Sequence, residues 1–201
     1  MIMRKFFNLF LILAVLTIPG SNGCINTAHV NNIIETDCNS SQYPIKLEGT
    51  PNISMFASNC KDFLFKPEVV SEVIFIFVKE YSEKFKVSEQ YVWLRLQDLK
   101  IELSIIPRTV EAAYDVSGNY IEGEVPVTGL AISPYHVWVE VKTSQVWSSS
   151  LVHELIHVVI WRDNLNIHGD PDHEGNMFSG WKKEHTQLVK NLRLKLMDLD
   201  L

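Results

Sequence analysis

Two histidines and a glutamate stand close together in an apolar part of this chain, in the order His153-Glu154-Leu155-Ile156-His157. On a helix, residues four positions apart lie one above the other, so both imidazoles can reach one metal ion. Glu154 can hold a water molecule beside that ion without binding it. Two neutral ring nitrogens and an adjacent carboxylate are the minimum for zinc-assisted hydrolysis of an amide. The spacing therefore predicts a zinc hydrolase with Glu154 as general base.

The segment around this HExxH motif is apolar on nearly its whole circumference. The apolar residues are Leu151, Val152, Leu155, Ile156, Val158, Val159, Ile160 and Trp161. A helix of this kind is buried, and we expect Ser148–Ser150 to supply its N-cap and Asp163-Asn164 to end it. Polar groups inside such a helix need partners. The alternative interpretation is that the motif residues are satisfied polar groups of the core.

A catalytic zinc ion usually has three protein ligands and an open position. The downstream side chains that could supply the third are, in order of preference, His173, His168 and Glu184, with Glu174 and His185 also present. The compact metzincin pattern is excluded, because Ile160 and Asp163 stand where it needs Gly and His. His173 is preferred because the polar loop 168–175 turns sharply at its glycines and proline and carries acids that can orient imidazoles. The alternative is an ordinary solvated acidic loop.

This part of the chain resembles the SprT-like and related small zincin metallopeptidases. HELIHVVIW at 153–161 is followed, after a polar turn, by DHEGNMF at 172–178. In that family a third histidine beside a glycine follows HExxH at about this distance, with an aromatic residue a little further on. His173, Gly175 and Phe178 match those positions, although His-Glu-Gly replaces the family order Gly-His-Gly.

The resemblance covers about residues 145–185 and implies a peptide-bond hydrolase with one zinc ion on His153, His157 and His173. Glu154 would accept a proton from water and deliver it to the leaving amine. The resemblance is to the zincin type and not to a DNA-repair protease, because an exported protein meets no chromatin. Candidates for an oxyanion donor are Tyr120, Tyr135, His136 and His185, and the sequence does not choose among them.

The pattern of the remaining chain predicts an α+β, small zincin-like fold, in which an antiparallel sheet packs on the HExxH helix and a C-terminal helix. Apolar spacing predicts a helix over 67–85, a shorter one capped by Ser88, and a last one from about 178 or 179 to 197. Leu188, Leu192 and Leu196 are predicted to lie on the inner side of the last helix. Predicted strands are 100–110, 111–116, 120–123, 127–132 and 136–142. Val137–Val141 is expected to be the edge strand that pairs with an extended substrate.

The N-terminus has the pattern of an export signal. Arg4 and Lys5 precede the apolar run Leu9–Ile18, which is too short to anchor a protein in a bilayer, and small residues lead to Cys24. Small residues before a cysteine resemble a bacterial lipobox, in which that cysteine receives lipid. Ser21 departs from the pattern, and ordinary signal peptidase would leave Cys24 unmodified.

Three cysteines cannot all pair with one another. Lipid on Cys24 would leave Cys38 and Cys60 to form one disulfide in an oxidising compartment, and the alternative is three unrelated thiols. We therefore expect an exported protein of the bacterial cell envelope or periplasm, either attached to the membrane by lipid or secreted.

The charge argues against a nucleic-acid partner. The chain has 18 basic and 24 acidic residues, and removal of 1–23 takes away two of the basic ones, so no basic face for nucleic acid is expected. The predicted organisation is a signal peptide at 1–23, a tether or loosely packed arm at 24–65, and a metallopeptidase domain at 66–201. The expected partner is a peptide or protein substrate, and the sequence does not indicate an oligomeric state.

Two other functions fit the same residues. One is a non-catalytic zinc-binding envelope lipoprotein that keeps the zincin scaffold, for which Glu154 would be dispensable. The other is a structural lipoprotein in which HExxH arose by chance and no zinc binds. Metal content and the effect of Glu154→Gln on peptide hydrolysis separate the three possibilities.

Overall fold

The computed structural model describes residues 33–35, 44–57, 63–104, 106–114, 120–141, 147–164 and 180–198. In these ranges the chain is an α+β protein, as predicted. The strands are β1 (Ile33–Glu35), β2 (Ile45–Lys46), β3 (Ser54–Ala57), β4 (Phe63–Phe65), β5 (Lys100–Ser104), β6 (Arg108–Tyr114), β7 (Tyr120–Val127), β8 (Gly129–Ser133) and β9 (His136–Glu140). The helices are α1 (Pro67–Phe85), α2 (Glu89–Leu96), α3 (Trp147–Asp163) and α4 (Lys183–Asp198).

The main sheet has five strands in the order β2-β3-β5-β9-β8. β3 pairs with β5 and β5 pairs with β9 in parallel, whereas β2 and β8 run antiparallel to their neighbours. The prediction of an antiparallel sheet is therefore wrong. The parallel pair β3–β5 is possible because α1 and α2 carry the chain back between them, the long connection that parallel strands require.

The edge of the sheet is also not the predicted strand. β9, which was expected at the edge, is paired on both sides, through Val137 with Ile101 of β5 and with Ala131 of β8. Among the described strands, β8 is the edge strand next to it, and the short turn at 134–135 joins the two. A strand that already has two neighbours has no free backbone edge, so β9 is not an edge strand of this sheet.

The first two helices agree with the sequence pattern. Pro67 stands in the first turn of α1, and Lys86 ends the helix in the left-handed conformation with φ 57°. Ser88 caps α2, because its side chain accepts a hydrogen bond from the Tyr91 N–H. α2 ends at Leu96, and Leu99, which follows the helix, is fully buried.

The segment expected to be a loose arm contributes to the main sheet. β3 pairs along its whole length with β5, and Leu47, Ile53 and Met55 have no exposed surface. Burying these side chains removes apolar area from water. Residues 44–57 therefore belong to the folded unit. β1 and β4, from the same segment, form a separate antiparallel pair.

β6 and β7 form a separate two-stranded antiparallel sheet with an irregular register between Val110 and Ala112. The strand predicted over 100–110 is thus two strands, since β5 stops at Ser104 and β6 begins at Arg108. Pro107 stands between them, and proline supplies no N–H to a sheet ladder.

The HExxH helix α3 is buried on most of its surface, as its composition predicts. Leu151, Val152, Leu155, Ile156, Val158 and Val159 have no exposed surface. The predicted serine N-cap is wrong, because the helix already begins at Trp147. In α4 the side chains predicted to face inward, Leu188, Leu192 and Leu196, are buried.

Candidate metal centre

The two motif histidines converge on one point of α3. Their Nε2 atoms are 2.9 Å apart, and their ring centroids are 4.7 Å apart. His157 is 4% exposed and His153 is half-buried. Since the residues are one helical turn apart, both rings leave the same face of the helix. At this distance the two nitrogens can share a proton or bind one cation.

Trp181 forms a wall beside both histidines. Its ring centroid lies 4.9 Å from that of His153 and 4.5 Å from that of His157. The Trp181 Nε1 donates a hydrogen bond to Thr186 Oγ1 at 2.9 Å, which fixes the indole from the α4 side. An aromatic wall of this kind limits solvent access to a metal centre.

Glu154 points to a different neighbour, the start of edge strand β8. The glutamate is 5% exposed. A Cβ placed on Gly129 would lie 2.5 Å from Glu154 Oε1, so the carboxylate lies directly against this glycine. One turn earlier on α3, Ser150 Oγ donates to Thr128 Oγ1 at 3.1 Å. Ser150 and Glu154 thus form a second stripe of α3 that faces β8, beside the histidine stripe.

The C-terminal end of α3 is held against α2 by polar contacts. Asp163 Oδ1 accepts a hydrogen bond from Arg95 Nε at 2.8 Å, and its other oxygen accepts one from the Tyr91 hydroxyl. Burial, together with this hydrogen bond, raises the pKa of Tyr91 to about 12. Arg162 Nη1 donates to the backbone oxygens of Arg95 and Gln97 at 2.8 and 2.6 Å. These contacts fix the helix that carries the motif.

His185 caps α4 and does not join the histidine pair. Its Nδ1 accepts the Lys182 backbone N–H at 2.8 Å, and its Nε2 lies 3.4 Å from the Tyr81 hydroxyl. A side chain at the third helical position that accepts the backbone N–H of the N-cap residue, here Lys182, is one half of a capping box. The predicted start of this helix at 178 or 179 is therefore too early. Burial, aided by the charge of Lys182, lowers the pKa of His185 to about 4, so the ring is neutral at pH 7.

A cavity of about 340 Å³ lies beyond the histidines along the same side of α3. Ile160, one turn after His157, lines it together with Tyr81, Tyr91 and His185. Trp181 contacts both His157 and His185, whose ring centroid is 5.5 Å from that of the indole. The indole of Trp181 therefore links the histidine pair to His185, which lines this cavity.

The preferred third ligand, His173, lies outside the described residues, as do His168 and Glu174. Glu184 is described and is exposed in the first turn of α4. In the ranges that the structure describes, no group of three or more His, Cys, Asp or Glu side chains is arranged to hold a metal ion. The structure thus brings together His153 and His157, with Glu154 on the neighbouring face.

The histidine pair fits a zinc ion by chemistry and by spacing. Two nitrogens bound to tetrahedral zinc at the usual bond length are about 3.3 Å apart. The observed 2.9 Å between the Nε2 atoms needs only a small opening of the two rings. In both histidines the nitrogen that faces the other ring is Nε2, a common ligand atom of neutral imidazole. His153 and His157 can therefore supply two ligands of a zinc site.

The described candidates for an oxyanion donor lie elsewhere. His136 is on the opposite face of the sheet from α3, with Nε2 3.0 Å from Glu102 Oε2 but without the alignment of a hydrogen bond. Tyr135 is exposed and lies under Arg162, whose Cζ is 4.5 Å from the ring centroid. The Tyr120 side chain is outside the described set.

No protein-family model matches this chain, and no curated protein or solved structure does either. Residues 1–23 and the three cysteines, Cys24, Cys38 and Cys60, lie outside the described residues. Within the described ranges, every helix falls short of the length or apolarity needed to cross a bilayer.

Proposed function

We propose that the protein is a zinc-dependent metallopeptidase that hydrolyses peptide bonds. The observation that supports the proposal is the arrangement of the three motif side chains on α3. The Nε2 atoms of His153 and His157 are 2.9 Å apart on one face, and the carboxylate of Glu154 lies against the edge strand β8.

His153 and His157 are the proposed zinc ligands on α3, and His173 is the proposed third ligand from the segment 165–179. A zinc ion held by them would supply Lewis-acid activation of water and of the scissile carbonyl. Glu154 is the proposed general base, because a buried carboxylate beside the histidines can accept a proton from the attacking water and pass it to the leaving amine.

Strand β8 is the proposed substrate-binding edge. It is antiparallel to β9 and begins at Gly129, beside Glu154. An extended peptide that adds to such an edge gains backbone hydrogen bonds without requiring a particular sequence. This arrangement would place the peptide alongside the base, so the proposed substrate is an unfolded segment or an extended peptide.

The deciding experiment compares the wild-type chain with Glu154→Gln on a library of unstructured peptides, with zinc content measured in both. The expected result is cleavage by the wild type and a loss of at least about 1,000-fold in kcat/KM in the variant, with zinc retained. Equal cleavage by both proteins, or none by a zinc-loaded wild type, refutes the peptidase. The second outcome would leave a non-catalytic zinc-binding protein.

For the location we propose export to the bacterial cell envelope or periplasm, with lipid on Cys24. Support comes from the basic, apolar and small-residue order of 1–23. An oxidising compartment would also allow the proposed Cys38–Cys60 disulfide.

A further inference from the structure

We propose that Gly129 is a positioning residue for Glu154. The lack of a side chain at this point of β8 leaves the space in which the carboxylate lies. The inference rests on the proposed peptidase function, because the position of Glu154 matters for catalysis only if Glu154 is the general base.

The contact is one that no larger residue can share. A Cβ on Gly129 would lie 2.5 Å from Oε1, 2.9 Å from Cγ and 3.0 Å from Cδ of Glu154. Carbon and oxygen atoms do not approach this closely without a bond, so one side must move. All three atoms belong to the glutamate side chain, which can rotate, and none belongs to the backbone. An alanine at 129 would therefore displace the carboxylate and leave the fold in place.

The backbone does not explain the glycine. Gly49 is the glycine with positive φ among the described residues, at 72°, and Gly129 lies in an ordinary strand conformation. Glycine inside a strand costs conformational entropy and often marks a close approach by another group. At Gly129 the approaching group is the Glu154 carboxylate, which is a sufficient reason for the residue.

A neighbouring contact fixes the strand and the helix relative to each other. Ser150 and Glu154 are one turn apart on α3, and Thr128 and Gly129 are adjacent on the approach to β8. The hydrogen bond from Ser150 Oγ to Thr128 Oγ1 joins the helix to the strand one turn before Glu154. This bond fixes the position of Glu154 relative to Gly129, so the base lies beside the edge where a peptide would pair.

The activity test is Gly129→Ala as the full zinc-loaded chain. Its kcat is expected to fall about 100-fold, the usual consequence of a displacement near 1 Å at a reacting group. KM and zinc content should stay near the wild-type values. The second background, used for the unfolding comparison, is Glu154→Ala, which removes Cγ together with the carboxylate and so clears the added methyl group.

A thermal-unfolding test of the metal-free proteins reports the contact without any turnover. Gly129→Ala should lower Tm more in the Glu154 background than in the Glu154→Ala background, because only the glutamate side chain is displaced. No loss of kcat in Gly129→Ala, or equal Tm shifts in the two backgrounds, would each overturn the proposal. Absence of Glu154-dependent cleavage in the wild type refutes the proposed function instead, while the two Tm shifts still decide whether Gly129 accommodates Glu154.

Discussion

The imidazole of His157 lies 4.5 Å, centroid to centroid, from the indole of Trp181. The two residues flank the segment 165–179 in sequence, so the chain after this segment returns to the face of α3 that carries the histidines. His173, the proposed third ligand, belongs to the same segment. A third ligand from this segment requires such a return of the chain to the histidine pair.

Trp181 should report metal binding through its fluorescence. Because the indole contacts both proposed ligands, Co²⁺ added to metal-free protein is expected to quench tryptophan emission, and Trp181→Phe should remove most of that quenching. Trp93→Phe is the matched control, since Trp93 packs against Phe75 on α1. Quenching that survives in Trp181→Phe at wild-type strength would show that Co²⁺ binds elsewhere.

His173 should be needed for tight zinc binding. Loss of a ligand is expected to weaken zinc affinity by at least about 100-fold, more than the loss of a group that merely supports a ligand. Titration of His173→Ala with zinc against a competing chelator measures this. Glu68→Ala is the control, because Glu68 is an exposed carboxylate in the first turn of α1 and should leave the affinity unchanged. Wild-type affinity in His173→Ala, with a loss in His168→Ala, would move the assignment to His168.

The buried His185 should make the fold less stable in mild acid. Its pKa is about 4 in the folded protein against 6.5 ordinarily, so the unfolded chain binds a proton that the folded chain does not. Its contribution is fully present above pH 6.5 and is lost as the pH falls toward 4. Between pH 7 and pH 4.5 the loss of unfolding free energy is about 2 kcal/mol.

His185→Gln is the matched variant for that prediction. Glutamine at the third helical position can still accept the Lys182 N–H, as in a capping box, but does not titrate. Urea unfolding of both metal-free proteins at pH 7 and pH 4.5 makes the measurement. The wild type should lose more stability over this interval than the variant. Equal losses would mean that His185 is not a buried neutral ring.

Cys24 should determine membrane attachment. If the residue is lipidated, the wild-type chain expressed in a bacterium sediments with the membranes and its intact mass includes acyl chains, since two or more chains anchor a protein stably. Cys24→Ser should move the protein to the soluble fraction. A mature wild-type chain whose mass shows an unmodified cysteine at its N-terminus would instead indicate ordinary signal-peptide cleavage.

Helices were predicted from the sequence more accurately than the sheet. The apolar spacing in α1, the Ser88 cap and the inward leucines of α4 are local signals, and each agrees with the structure. Sheet order depends on partners far apart in the chain. Nothing near Val137–Val141 indicates that β5 occupies its second side, so β9 was taken for the edge in place of β8.

Only the local part of the candidate site follows from the sequence. The spacing of His153, Glu154 and His157 follows from helix periodicity alone, and the structure brings the two histidines together. Gly129 carried a usable signal, because a glycine inside a predicted strand suggests a close approach. No local signal in the sequence indicated Trp181, because its contact with the histidines depends on where the chain returns after residue 179.

Native mass spectrometry of the purified mature chain tests the zinc site most directly. We expect one zinc ion per wild-type chain, released by a chelator, and none in His153→Ala or His157→Ala. His185→Gln, which alters a buried histidine outside the pair, should keep its zinc. A wild-type chain without stoichiometric zinc, or zinc retained by both His153→Ala and His157→Ala, would contradict the account.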